Sequence, residues 1–151
     1  VPLSIPLGVV GLSERFLADD PPTPEQVAAL EVHIRAAIAD AIPTGMVGEL
    51  LGVAGTSTSL GALEVSCGGF DREKIHGAIV SRERLRHWLS TLLAITAAKR
   101  TALYGIGHAR ADVFPTGLML LDAVLAHLGR DRVRVSVNGL RVGAALSILE
   151  R

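Results

Sequence analysis

Cysteine is almost missing from this chain of 151 residues: Cys67 stands alone. A disulfide framework is therefore excluded, and a reducing compartment, the cytoplasm, fits. Cys67 has no catalytic neighbour in sequence and reads as inert. Aromatic residues make up 3% and the formal net charge is zero. Few stacking platforms and no excess positive charge argue against a general nucleic-acid binder. Long apolar runs are lacking as well. The longest uncharged stretches, Val1–Ser13 and Leu50–Leu63, fall short of the roughly 18 residues that a membrane span needs. No basic segment precedes an apolar one at the start, so no signal peptide is visible. Zinc signatures are absent, because His33, His76, His87, His108 and His127 show no ligand spacing. Neither a Gly-x-Ser-x-Gly elbow nor a Walker A loop occurs.

What the chain does have is grease. Hydrophobic residues reach 49%, charged residues only 20%, and the mean hydropathy is +0.42. The length suits one domain over 1–151 with a real core. That much apolar surface implies either deep burial or a face meant for another domain or subunit, a homodimer included. The first residue is Val1, not Met, which suggests a processed, truncated or excised piece.

Local patterns alternate strands with helices. Leu3–Ile5 and Gly8–Leu12 read as short strand material around Pro6, and Ser13–Leu17 as a helical turn stopped by Asp19-Asp20-Pro21-Pro22. Thr23-Pro24 opens a helix with Val27, Leu30, Ile34, Ile38 and Ala41 on one stripe. Val47–Leu51 reads as a strand. It runs into Gly52-Val53-Ala54-Gly55-Thr56-Ser57 and a helix through Leu60 and Leu63. Gly68–Asp71 is a loop. Ser81 caps a helix carrying Leu85, Trp88, Leu89, Leu92 and Leu93, which runs on to about Leu103. Tyr104–His108 is loop. Pro115 and Thr116 precede a helix with Leu120, Leu121, Val124, Leu125 and Leu128, closed by Gly129. Arg132–Val137 alternates as a half-buried strand, with Arg132 and Arg134 on the wet face of a sheet edge. Asn138-Gly139 then turns into a last helix, from Arg141 to about Glu150. The class is α/β, helix-rich.

Two places carry possible chemistry. At Gly52–Thr56 a strand ends in a glycine turn and a helix begins. Glycine lets backbone approach a ligand, and free amides at a helix N-terminus attract anions. Any strand-to-helix turn needs small residues and a hydroxyl cap too, so spacing alone leaves both readings open. Arg110-Ala111-Asp112 sits in a loop before a helix. Arg110 can fork onto a phosphate while Asp112 orients it or caps the helix; a salt bridge between the two is the alternative. His87 and His127 read as solvated, Asp19-Asp20 as a turn rather than a metal site, and Glu14 as half of a structural ion pair.

Six pieces in order resemble the C-terminal half of the exopolyphosphatase/guanosine pentaphosphate phosphatase (Ppx/GppA) family. Pro6–Phe16 resembles its "lplGavrltErf" stretch, with Asp20-Pro21-Pro22 following. Gly52–Leu60 resembles its Gly-Gly-Thr segment. Phe70-Asp71 with Ile75-His76-Gly77 is similar to its Tyr-Asp and Val-His-Gly pair. Arg110–Gly117 and Gly139–Gly143 resemble its Arg-Ala-Asp block and its Gly-Leu-Arg-Glu-Gly ending.

The resemblance implies a two-lobed member of the actin-like ATPase superfamily, each lobe built on a ribonuclease-H-like mixed sheet with several helices. This chain then corresponds to the second lobe. The first lobe, outside this sequence, would hold the divalent metal (magnesium) and the glutamate that activates water. No catalytic residue and no metal ligand is implied among these 151. The residues implied to bind substrate phosphate are Gly55, Thr56 and Arg110, and the substrate is polyphosphate or guanosine pentaphosphate. A non-catalytic scaffold domain and a kinase-like phosphotransferase are the alternatives. Two departures stand out: Ala54 where the family often has Gly, and Val142 where it usually has Glu.

Overall fold

A computed structural model describes residues 3–45, 48–65 and 70–149. Cys67 and the Gly68-Gly69 part of the expected loop lie outside the described residues, as does Val47. Three strands form one mixed sheet in the order β1-β3-β2. They are β1 (Leu51–Gly52), β2 (Ile79–Ser81) and β3 (Arg132–Val135). β1 runs parallel to β3, with Gly52 opposite Val135. β2 runs antiparallel, with Val80 opposite Val133. The alternating strand is thus central rather than an edge. Alternation fixes which side chains face the core, Val133 and Val135 here, but not how many neighbours the backbone has. Arg134 holds Glu49 at 2.9 Å on the outer face.

Helices cover the remainder: α1 (Val9–Phe16), α2 (Pro24–Ala41), α3 (Ala54–Glu64), α4 (Arg72–Ile75), α5 (Arg82–Leu93), α6 (Ala97–Tyr104), α7 (His108–Ala111), α8 (Phe114–His127) and α9 (Leu140–Leu149). α2 begins where a capping box and a first-turn proline coincide: Thr23 and Gln26 exchange bonds with each other's backbone. α5 starts on the Ser81 hydroxyl, which accepts from Arg84 N–H.

Several expectations are corrected. Val9–Leu12 is helical, not strand: with Gly8 extended as the cap, Leu12 and Ser13 face inward, and packing overrides the β-branched pair Val9-Val10. The segment after α5 does not run on; Thr96 takes the amide of Lys99 and starts α6 as a separate helix. Pro115 and Thr116 lie inside α8, whose first residue is Phe114. β2 was not anticipated.

The hydrophobic α8 is the hub. Leu118 and Leu125 join the sheet, α3 and α5 in one buried cluster. Met119 and Ala123 join Leu12, Leu30, Ile34 and Ile38 in a second. The Ser13 hydroxyl meets that of Thr116 at 2.7 Å, which pins α1 to α8. His127 is not simply solvated: its Nε2 lies 2.7 Å from the carbonyl of Ile42 at the end of α2. In contrast, α9 buries none of its residues, and Leu140, Leu146, Ile148 and Leu149 stand bare. The grease therefore goes partly into a core and partly onto this helix.

The turn after β1 holds a feature at odds with its chemistry. Ala54 has φ of 65°, in the left-handed region where a Cβ crowds the following carbonyl at about 1–2 kcal/mol. Glycine avoids that penalty but loses more backbone freedom on folding. Ala54→Gly is expected to stabilise the fold by about 0.5–1 kcal/mol net. Chemical denaturation of the two proteins checks this; a lower midpoint for the glycine variant would contradict the strain.

Candidate functional site

Gly52 ends β1 because a side chain there has no room. A Cβ would come 2.5 Å from the Ser57 hydroxyl and 3.0 Å from Val133. The chain therefore turns tightly over β3, with Ser136 N–H donating to the Gly52 carbonyl at 2.8 Å, and α3 starts two residues later. Its N-cap residue, Val53, supplies no side-chain acceptor. The first-turn amides, those of Gly55 and Thr56 among them, thus have no capping side chain and carry the positive end of the helix dipole.

The structure brings Arg110 to this turn. A Cβ on Gly55 would lie 3.2 Å from Arg110 Cζ, 3.4 Å from Nε and 3.5 Å from Nη1. The guanidinium thus lies across the backbone of Gly55, and only the absence of a side chain lets it in. Arg110 belongs to the short helix α7, not to a loop. It does not pair with Asp112. That carboxylate accepts instead from Val113 N–H at 3.0 Å, at the entry to α8. Among the described residues nothing accepts a hydrogen bond from the Arg110 guanidinium or pairs with it, and the residue is exposed. A planar cation and uncapped helix amides then face the same solvent, an arrangement suited to a phosphate oxyanion.

Thr56 is oriented differently from its neighbours. Its hydroxyl and methyl pack against α8: a Cβ on Gly117 would come 2.5 Å from Thr56 Oγ1 and 2.9 Å from Cγ2. Its hydroxyl thus seats α3 on α8, and its backbone amide is what faces the turn. Glu14 is exposed and forms no ion pair among the described residues, contrary to expectation.

Arg100 was not anticipated at all. It is buried, and its Nε and Nη1 donate to the carbonyls of Leu92 and Ala111, each at 2.8 Å. Asp20, whose carboxylate also takes the Ala97 amide at 2.9 Å, lies 3.8 Å from Nη2. Burial lowers the Arg100 pKa, while Asp20 and Asp112 pull it back up. Because Ala111 closes α7, Arg100 fixes the helix that carries Arg110. No sequence pattern marks it, since an arginine on an amphipathic helix ordinarily reads as a solvated face. Among the described residues, no three His, Cys, Asp or Glu side chains come together to hold a metal. No described helix is long and apolar enough to cross a membrane.

The chain is 32% identical to exopolyphosphatase 2 of Mycobacterium tuberculosis over 152 residues, covering 96% of this chain and 48% of that protein. It is also 32% identical over 101 residues to a bifunctional 3-dehydroquinate synthase/phosphatase of Fusobacterium nucleatum, covering 67% of this chain and 15% of that one. The crystal structure of the Aquifex aeolicus Ppx/GppA family member superposes with a TM-score of 0.93 at 29% identity, over 98% of this chain and 48% of that one. The chain spans about half the length of the exopolyphosphatase it matches. The family model for the Ppx/GppA phosphatases matches residues 1–151, and this chain belongs to that family.

Proposed function

We propose that this chain is the phosphate-gripping half of a phosphohydrolase, the second lobe of a two-lobed enzyme. The whole protein removes terminal phosphate from polyphosphate or from a guanosine pentaphosphate-like nucleotide. The observation that supports this reading is the unpaired Arg110 guanidinium lying across Gly55, beside the uncapped start of α3. Arg110 binds and orients a phosphate by two charge-assisted hydrogen bonds. The amides of Gly55 and Thr56 take a further oxygen. The partner in this reading is the other lobe, and the setting is the cytoplasm.

A divalent metal, magnesium, belongs to the family's chemistry, but the described residues offer no donor set for it. In this reading its ligands and the group that activates water belong to the first lobe. The test has two readouts. Calorimetry should detect tripolyphosphate binding to the 151-residue chain. Phosphate release from polyphosphate or guanosine pentaphosphate with magnesium should stay at background for the chain alone. No binding, or turnover well above background, would overturn the assignment.

A further inference from the structure

Every residue of α9 is exposed. That is ordinary for a polar helix, but α9 is not polar. Arg141 is its one charged residue and Ser147 its one other polar side chain. Leu140 is 90% exposed, Leu146 51%, Ile148 73% and Leu149 82%. At about 100° per residue these four do not share a stripe. Leu140 and Leu149 fall on opposite sides of the axis, with Ile148 on one flank between them and Leu146 on the other. A helix that is apolar all round belongs inside a protein body rather than on its surface. Nor does it hang from a loose root. Just before it, the Asn138 side-chain carbonyl accepts from Arg72 of α4, and Val137 N–H donates to His76 Nδ1 at 3.4 Å. The helix is an apolar arm standing on a fixed base.

We infer that α9 ties the two lobes together, enclosed on all sides by an apolar socket of the first lobe. This rests on the two-lobed reading above. The family match runs through α9, and the exopolyphosphatase relative has about as much chain again outside the matched stretch. Size points to the same occupant. A ten-residue helix is about 15 Å long and about 10 Å across, so a socket closed around it buries on the order of 500 Å² of its surface, about 1,000 Å² with the socket's own. That lies within the roughly 600–1,500 Å² typical of contacts between domains of one chain. It falls short of the roughly 1,200–2,000 Å² that holds separate partners together. A second α9 laid alongside would also cover one side only.

The experiment reads access to α9 from two sides. Ala145 and Ser147 stand about 200° apart around the axis. Ala145→Cys and Ser147→Cys are made one at a time with Cys67→Ser, so that each protein has a single thiol. α9 buries none of its residues, so these changes leave the fold of the 151-residue chain intact. Maleimide should label both thiols rapidly in the 151-residue chain. In the whole protein each should react at least about tenfold more slowly, since labelling then waits for the socket to open. Adding Leu146→Asp to the whole protein should bring both rates back. Equal rates in the whole protein and the 151-residue chain would overturn the tie. Protection of one thiol alone would show a helix lying on a surface and refute the socket. Protection that grows with the concentration of the 151-residue chain would give α9 to a second copy and overturn the assignment as well. Tripolyphosphate binding to the 151-residue chain should be the same with and without Leu146→Asp. Failure of that binding overturns the phosphate role and leaves the tie standing, so the two are judged separately.

Discussion

Arg100→Ala is expected to destabilise the fold by about 3–5 kcal/mol, the range for truncating a large buried side chain together with its hydrogen bonds. The side chain is 2% exposed. Its two hydrogen bonds go to carbonyls at helix ends: Leu92 in the last turn of α5, which otherwise has only strained backbone donors such as Ile95 N–H at 3.4 Å, and Ala111 at the end of α7. Losing the donor to the Ala111 carbonyl costs about 1–3 kcal/mol, and the Leu92 carbonyl, which keeps a long backbone bond, adds less. The emptied volume adds a cavity term. A domain of this size has a total stability of about 5–15 kcal/mol, so the variant should be close to unfolding at room temperature. The ion pair is the smaller part, because Asp20 is half exposed and 3.8 Å away. Asp20→Asn should therefore cost under about 1 kcal/mol. The denaturant midpoints of both variants, read at unchanged slope, separate the two contributions. An Arg100→Ala shift no larger than that of Asp20→Asn would show that the carbonyl bonds do not matter. Arg100→Lys should fall between, since an ammonium cannot reach two carbonyls on separate helices at once.

The elements most legible in the sequence were those with local punctuation. α2 has a hydroxyl cap, a reciprocal glutamine and a proline within four residues, all of which act through adjacent backbone. β2 was invisible because it is three residues long and its last residue doubles as the cap of α5. α1 was misread because a β-branched pair signals a strand, whereas burial of Leu12 and Ser13 against α2 and α8 decides the outcome. The candidate site was legible only as separate pieces. Gly55 and Arg110 each sit in a recognisable motif, but their contact joins positions far apart in the chain and leaves no periodicity behind. The turn at Thr56 was legible; that its hydroxyl faces α8 was not, because that depends on Gly117.

Gly55→Ala is expected to weaken tripolyphosphate binding about tenfold or more while leaving the fold as stable as before, or more stable. The two effects have separate causes. Gly55 is the second residue of α3 and is not strained; in a helix interior alanine is favoured over glycine by up to about 1 kcal/mol, and a first-turn position gains part of that. The new methyl group, however, lands 3.2 Å from Arg110 Cζ. That is too close for comfort, and the object in the way is the far end of a flexible side chain. The guanidinium swings aside rather than the backbone. It then no longer lies beside the amides of α3, and the two no longer act on one phosphate. A charge-assisted hydrogen bond contributes about 1.5–3 kcal/mol, which sets the scale of the loss. Arg110→Lys should produce a similar loss by another route, since it keeps the charge but not the two-pronged geometry. Arg110 is exposed, so that change too should leave the melting temperature in place. Calorimetric titration with tripolyphosphate, paired with thermal unfolding of each variant, measures both quantities. A drop in affinity that merely follows a drop in stability would assign Gly55 to packing. Unchanged affinity in Arg110→Ala would take Arg110 out of the site, and the uncapped turn of α3 would be left with no partner for its anion.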